Sequence, residues 1–310
     1  MNLKFLTYTV KSKIFAGVRR VFLSITFLLT PIQLAQFLHW RFFKSKRPAT
    51  TQTSKDSPID HGKLDLNKSQ AKVAIILHVF YPDIGIEILQ QVIPKSSYFN
   101  KILITHCMTP TALIEFQSKV PHELLSKCHF MVVENRFRDC GPFIQAASSP
   151  FLSDCEVFLK LHTKKSPHLP NDAGTLWRKD LIDGLLNPKE IENLIGQLAT
   201  DPGPSWACPE RWISSKSDWG FNSFQVWKLC RALGIAFLGA QSFPVGNMYW
   251  MNKSLLNVFE YLEAHLEVPN GHLRSSKLKD GGVIHALERL PSQFFICEKL
   301  NFFHSLPDLS

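Results

Sequence analysis

The chain has 310 residues, with 35 Lys and Arg against 26 Asp and Glu and a formal charge of +9. Nine of those cations and none of the acids fall in residues 1–47, which leaves residues 48–310 with 26 of each and no net charge. A neutral body excludes a globally basic nucleic-acid-binding domain, and 45% hydrophobic with 12% aromatic residues excludes a disordered or fibrous chain.

Residues 21–40, VFLSITFLLTPIQLAQFLHW, make an uncharged apolar stretch with basic residues on both sides. Its length suits a bilayer span, but Pro31, Gln33, Gln36 and His39 favour a basic helix lying in the headgroup plane. A span and a helix docked on protein are the alternatives. Basic flanks at both ends give no orientation, and no small-x-small site follows for signal-peptide cleavage. Residues 48–70 are rich in Ser, Thr, Lys, Asp and Pro and lack aromatics, so they read as a flexible linker. Residues 71–310 are long enough for one large domain.

From residue 71 short apolar runs alternate with helical spacing. KVAIILHVF (72–80) reads as a buried strand, and residues 84–94 repeat apolar side chains at the helical period. KILITHC (101–107) is a second strand, followed by a helix over 112–120. HFMVVEN (129–135) is a third, residues 143–148 begin another helix, and EVFLKLH (156–162) is a fourth strand. Such alternation predicts a mainly parallel sheet covered by helices on both faces, with ligands at the carboxyl ends of the strands. The seven cysteines (Cys107, Cys128, Cys140, Cys155, Cys208, Cys230, Cys297) form no C-x-x-C pair. That excludes a zinc ribbon and suits reduced thiols.

Unusual polar residues cluster at the strand ends. HVFYPD (78–83) closes the first strand, ENRFRDCGP (134–142) the third, and KLHTKKS (160–166) the fourth, with WRKD (177–180) shortly after. Two later clusters are FPVGNMYW (243–250) and DGGVIHALER (280–289). Arg136, Arg138, Lys164 and Lys165 are the forks and point charges that partner phosphate oxygens. Asn135 and Asp139 suit ribose hydroxyls or a base edge. Taken singly, each charge reads equally as a solvated loop residue or half of a surface ion pair. Shared position at consecutive strand ends sets the group apart. Neither G-x-x-x-x-G-K nor G-x-G-x-x-G follows the first strand, which argues against a P-loop and simple dinucleotide binding.

His78 and His162, with Asp83 nearby, make a metal site conceivable, but no spacing enforces one. FPVGNMYW reads either as a core strand and bend or as a platform whose rings stack on a sugar. In the last cluster Glu288 is either an ion-pair partner of Arg289 or a carboxylate poised as general base.

Together, HVFYPD, ENRFRDCGPF, FLKLHTKKS, WRKDLIDGLL, FPVGNMYW and GGVIHALERLP resemble the rhamnan synthesis protein F family over residues 72–295, and residues 1–70 lie outside the likeness. The resemblance implies a bacterial glycosyltransferase of rhamnose-containing surface polysaccharides, with a GT-A-like α/β domain. It also implies a nucleotide-sugar donor, dTDP-rhamnose being the candidate. His78, Tyr81, Asn135, Arg136, Arg138, Asp139, His162, Lys164 and Lys165 would line the donor site. Gly246, Tyr249, Trp250 and Arg289 would line the acceptor side. The family's block usually resembles N-R-G-R-D, whereas Phe137 holds the glycine position here, so either the loop backbone differs or Phe137 meets the ligand.

Typical GT-A members carry D-x-D at the end of the fourth strand. His162-Thr163-Lys164 stands there instead, which implies a cationic Lys in place of a divalent metal at the leaving diphosphate. Asp280 first and Glu288 second are the candidate general bases, with His285 beside them. The expected partners are a lipid-linked or cell-surface glycan acceptor and a membrane surface met through residues 1–47, with no nucleic acid. The expected location is the cytoplasmic face of the inner membrane, peripheral or monotopic. A catalytically inactive glycan- or nucleotide-binding module of the same fold is the competing expectation, prompted by Phe137 and the missing D-x-D.

Overall fold

A computed structural model describes residues 71–163, 165, 173–214, 219–220, 222–265 and 282–296. The basic tail, the linker, Lys164, Asp280 and Cys297 lie outside the described residues.

Strand β1 (Val73–Val79) is buried along its whole length, which is why its sequence is a continuous apolar run rather than an alternating one. It lies between two parallel neighbours, β2 (Lys101–His106) and β4 (Val157–His162), and β2 pairs in parallel with β3 (Cys128–Val132). Beyond β4 the sheet changes direction. β8 (Tyr249–Asn252) pairs antiparallel with both β4 and β5 (Ser205–Ala207), and β9 (Phe295–Ile296) closes the far edge parallel to β5. The order is β3-β2-β1-β4-β8-β5-β9. A separate ribbon pairs β6 (Ile213–Ser214) with β7 (Phe243–Pro244).

The helices begin where local chemistry starts them. Proline stands in the first turn of α1 (Pro82–Val92), α2 (Pro110–Lys119) and α6 (Pro188–Thr200), where its missing N–H costs nothing. Thr109 caps α2 through its hydroxyl, and Asn187 caps α6 through its side-chain oxygen. The α1 and α2 starts lie two residues ahead of the ranges read from periodicity, because the apolar pattern begins inside the first turn. The short α3 (His122–Leu125) precedes β3, and α5 (Ala173–Leu185) follows β4. Later come α7 (Ser223–Ala232), α8 (Lys253–His265) and α9 (Val283–Arg289).

Helix α4 (Cys140–Ala147) is buried at all but one residue because it is sandwiched. Its Phe143 lies over Lys160 on one face of the sheet and meets Phe259 of α8, with ring centroids 4.8 Å apart. Trp250 points to the opposite face, where its Nε1 donates to Leu185 O at the end of α5 and its ring stacks on Phe99. Helices therefore cover both faces. Among the described residues, no helix is long and apolar enough to cross a membrane.

The path β1–β2–β3 runs outward in one direction, and β4 then returns to the other side of β1. The carboxyl ends of β1 and β4 are thus a topological switch point, the place where open α/β sheets bind ligands.

Candidate functional site

Register alone brings three polar side chains together. His78 on β1 is the Cα partner of Thr105 on β2 and of His162 on β4, so the three lie in one row on one face of the sheet. Lys160, two residues before His162, shares that face. His78 Nδ1 lies 3.1 Å from Thr105 Oγ1. Burial, with the charge of His162 adding to it, pushes the His78 pKa down to about 4, so the ring is neutral at neutral pH.

Thr163 stitches the two strand ends. Its hydroxyl oxygen accepts from the backbone N–H groups of Phe80 and Tyr81 at 2.8 and 2.9 Å, and its own N–H donates to His78 O. Loop 80–83 is thereby fixed over β4. From the β4 side Lys165 reaches this loop, with Nζ 3.2 Å from Asp83 Oδ2 and 4.5 Å from the Tyr81 ring centroid.

Asp139 is the hub of the buried part. Its Oδ2 accepts from Asn247 Nδ2 at 2.6 Å and from Lys160 Nζ at 3.4 Å, and His162 Nε2 lies 3.6 Å away. Lys160 Nζ also donates to Asn247 O at 2.9 Å, and His162 Nε2, which must carry its proton to do so, donates to Gly246 O at 2.7 Å. Lys160 is only 2% exposed, and its ammonium lies 4.8 Å from the Phe143 ring and 5.4 Å from that of Tyr249. A buried ammonium must be paired, and here a carboxylate, a carbonyl and two ring faces surround it.

Loop 134–139 leaves the end of β3 and enters α4. Phe137 and Arg138 both take positive φ, 58° and 56°. Gly141 permits the tight entry, since a Cβ there would sit 2.1 Å from Arg136 O. Asn135, Arg136 and Arg138 face outward, and Arg136 pairs with Glu134 at 3.0 Å. The arrangement presents cations at the strand ends above a rigid, buried, hydrogen-bonded floor, which suits an anionic ligand.

The sequence pattern that defines rhamnan synthesis protein F matches residues 54–296, so the likeness reaches into residues 54–70, which the motif blocks had left outside it. The chain belongs to the rhamnan synthesis protein F family. It is 28% identical over 217 residues to the uncharacterized protein WxcX of two strains of Xanthomonas campestris pv. campestris, covering 69% of this chain and 30% of each relative. The chain thus spans less than a third of the length of the curated relatives it matches. Among solved structures, the Mn/GDP form of core-mannan synthase A from Aspergillus fumigatus is similar at 10% identity and a TM-score of 0.27, over 74% of this chain and 73% of that one.

Within the family blocks, His78, Tyr81, Asp139, His162 and Lys165 gather at the β1 and β4 ends, with Asn135, Arg136 and Arg138 on the loop above Asp139. Phe137 keeps a left-handed backbone in spite of its side chain, so the loop has the conformation that glycine favours. Lys164 and Asp280 lie outside the described residues.

The acceptor-side expectations change. Tyr249 and Trp250 are both 0% exposed, so neither ring has a face for a sugar; they are core because β8 lies inside the sheet, with helices on both sides. Gly246 contributes its carbonyl to His162, and its φ of 81° and the Trp177 ring, 2.6 Å from where a Cβ would be, require glycine there. Arg289 is buried, donates to His285 O and lies over the Phe243 ring, with Glu288 3.8 Å away. His285 Nδ1 is buried with no hydrogen-bond partner among the described residues. Helix α9 meets the site through Ile284 O, 3.9 Å from Cys140 Sγ. Burial above all, with Asp139 and more weakly Glu288 adding negative charge, holds the Cys140 thiol well above its usual pKa.

Sequence reasoning gave no site role to Lys160, Thr163 and Asn247, although they lie inside the quoted clusters, and passed over Thr105. Lys160 had a usable signal: a cation inside the apolar run VFLKLH, at the same parity as His162. Asn247 had none, because its partner Asp139 is far away in sequence. Among the described residues, no three His, Cys, Asp or Glu side chains are grouped to hold one metal ion.

Proposed function

We propose that the protein is a glycosyltransferase of GT-A-like architecture that moves a sugar from a nucleoside-diphosphate donor to a lipid-linked or cell-surface polysaccharide precursor. Rhamnose is the candidate sugar and dTDP-rhamnose the candidate donor. The observation that carries the reading is the group of cations and buried polar side chains at the β1/β4 switch point, in a chain of the rhamnan synthesis protein F family.

In this reading the acceptor hydroxyl attacks the anomeric carbon. The bond from that carbon to the diphosphate oxygen breaks, and its electron pair leaves on the diphosphate. The hydroxyl proton passes to a carboxylate, Asp280 first and Glu288 second, with His285 beside them. Arg136, Arg138, Lys164 and Lys165 would neutralise the leaving diphosphate, the part a divalent metal plays elsewhere. Residues 1–47 would hold the enzyme on the cytoplasmic face of the inner membrane as a peripheral or monotopic protein. Residues 48–70 would be its linker and residues 71–310 its catalytic body.

The test is release of nucleoside diphosphate from a panel of dTDP-, GDP- and UDP-sugars by the purified full chain, with and without EDTA. Release from one donor class, retained in EDTA and lost in the double variant Arg136→Ala, Arg138→Ala, is expected. Turnover of none of the panel would sink the enzyme reading, and binding without turnover would mark an inactive binding module.

A further inference from the structure

Phe137, Arg138 and Asn247 are the three non-glycine residues at positive φ among the described residues, and all three belong to the two turns that meet over β4. L-residues resist this conformation, and it persists where the surroundings over-determine it. Here the surroundings are one cluster. Lys160 and His162, alternate residues of β4, bind successive carbonyls of the second turn, Asn247 O and Gly246 O. Asp139, directly after Arg138 in the first turn, takes both the Lys160 ammonium and the Asn247 side-chain amide. Each strained turn is therefore tied to the other and to the same strand, through a cation with a side chain 3% exposed and a carboxylate 14% exposed.

We propose that Lys160, absent from the phosphate-facing candidates, is the positioning residue of the donor site. Through Asp139 and Asn247 it holds loop 134–139 and turn 245–247 in one fixed relation. It sets where Arg136 and Arg138 stand without touching the donor itself. Asp139 is thereby committed to the protein and is not a direct ligand of the nucleotide. The proposal rests on the donor-site reading for its catalytic consequence, but its structural half stands without it.

Hydrogen exchange followed by mass spectrometry tests the coupling in the full chain without any ligand. Lys160→Met should raise amide exchange in 134–139 and 245–247 together. Removing the cation takes the lysine partner from a largely buried Asp139, which keeps its bond from Asn247, so a gentler variant is also needed. Asn247→Gly keeps the left-handed turn, since glycine accepts that φ, and deletes the side-chain amide with its links to Asp139 and to the neighbouring Cys140 Sγ. It should still raise exchange in 134–139, although the substitution lies in the other turn. Exchange unchanged in 134–139 for Asn247→Gly would overturn the lock.

The positioning role is read with the donor that the panel identifies. Misplaced cations should lower kcat by on the order of 100-fold in Lys160→Met, with a smaller change in KM and partial recovery in Lys160→Arg. Loosened turns with kcat and KM untouched would overturn the positioning role. If the wild-type chain neither turns over nor binds any of the donors, the glycosyltransferase reading fails, and exchange alone decides the lock.

Discussion

The two halves of the sheet use similar residues for opposite ends. In the parallel half, β1 and β4 carry apolar runs, broken in β4 by Lys160, that end where His78, His162, Thr163 and Lys165 gather at a switch point. In the antiparallel half, the turn at Gly246 leads straight into β8, whose Tyr249 and Trp250 are fully enclosed. Both halves mix aromatic and polar residues at a strand end, yet the first leaves Tyr81 half-buried and Lys165 exposed beside its buried histidines. The difference is position in the sheet. β8 lies between β4 and β5 and is covered on both faces, so an aromatic there has nowhere to go but the core. What the antiparallel half supplies to the site is backbone: the carbonyls of Gly246 and Asn247 and one amide side chain.

The contrast can be broken most forcefully at Trp250. If the ring is core, Trp250→Ala should cost about 3–5 kcal/mol in urea unfolding. A variant of wild-type stability whose defect appeared only with acceptor would return Trp250 to the glycan side and erase the distinction.

The parallel half should reveal itself in pH dependence. His78 is held neutral with a pKa near 4, below the 6.5 of an exposed histidine, so unfolding takes up a proton between those values. The stabilisation is complete above pH 6.5, declines as pH falls towards 4 and changes no further below that. It amounts to at most about 3 kcal/mol. His78→Gln should flatten this part of the stability curve, and an unaltered slope would show that His78 is not the titrating group. His106, also buried and also lowered in pKa, is the control that must still titrate in that variant.

Gly141→Ala addresses the joint between loop and helix. A methyl 2.1 Å from Arg136 O forces the backbone to move, with an expected loss of about 1–3 kcal/mol and weakened nucleotide binding. Full stability and binding would mean that the loop enters α4 by another path. The smallest effect is expected at Phe137→Gly. Relief of the left-handed strain, about 1 kcal/mol, is offset by lost contact of a partly buried ring with the core, so the melting temperature should hardly change. A large loss would show that the Phe137 side chain, rather than the loop backbone, holds the site.

Much of the parallel half was legible because its signals are local. Apolar runs bounded by polar tips mark β1, β2, β3 and β4, and alternation with helical spacing implies parallel pairing. The strand-end candidates followed from that alone. Asp139 was legible as a site residue but its role was not. A carboxylate at a strand end looks the same whether it faces a ribose or a lysine twenty-one residues on. Trp250 failed for a related reason, since a Gly turn between aromatics fits a platform and a core bend equally well.

The sequence by itself determined the neutral body, the basic tail, the order of the parallel elements and the family. Those depend on composition, period and ordered blocks, which are written along the chain. Only the tertiary structure decided that Lys160, Asp139 and Asn247 meet, that β8 runs antiparallel inside the sheet, and that Tyr249 walls a lysine instead of stacking on a sugar. Burial and pairing across distant segments are set by which faces the sheet and helices close, and no local pattern carries that information.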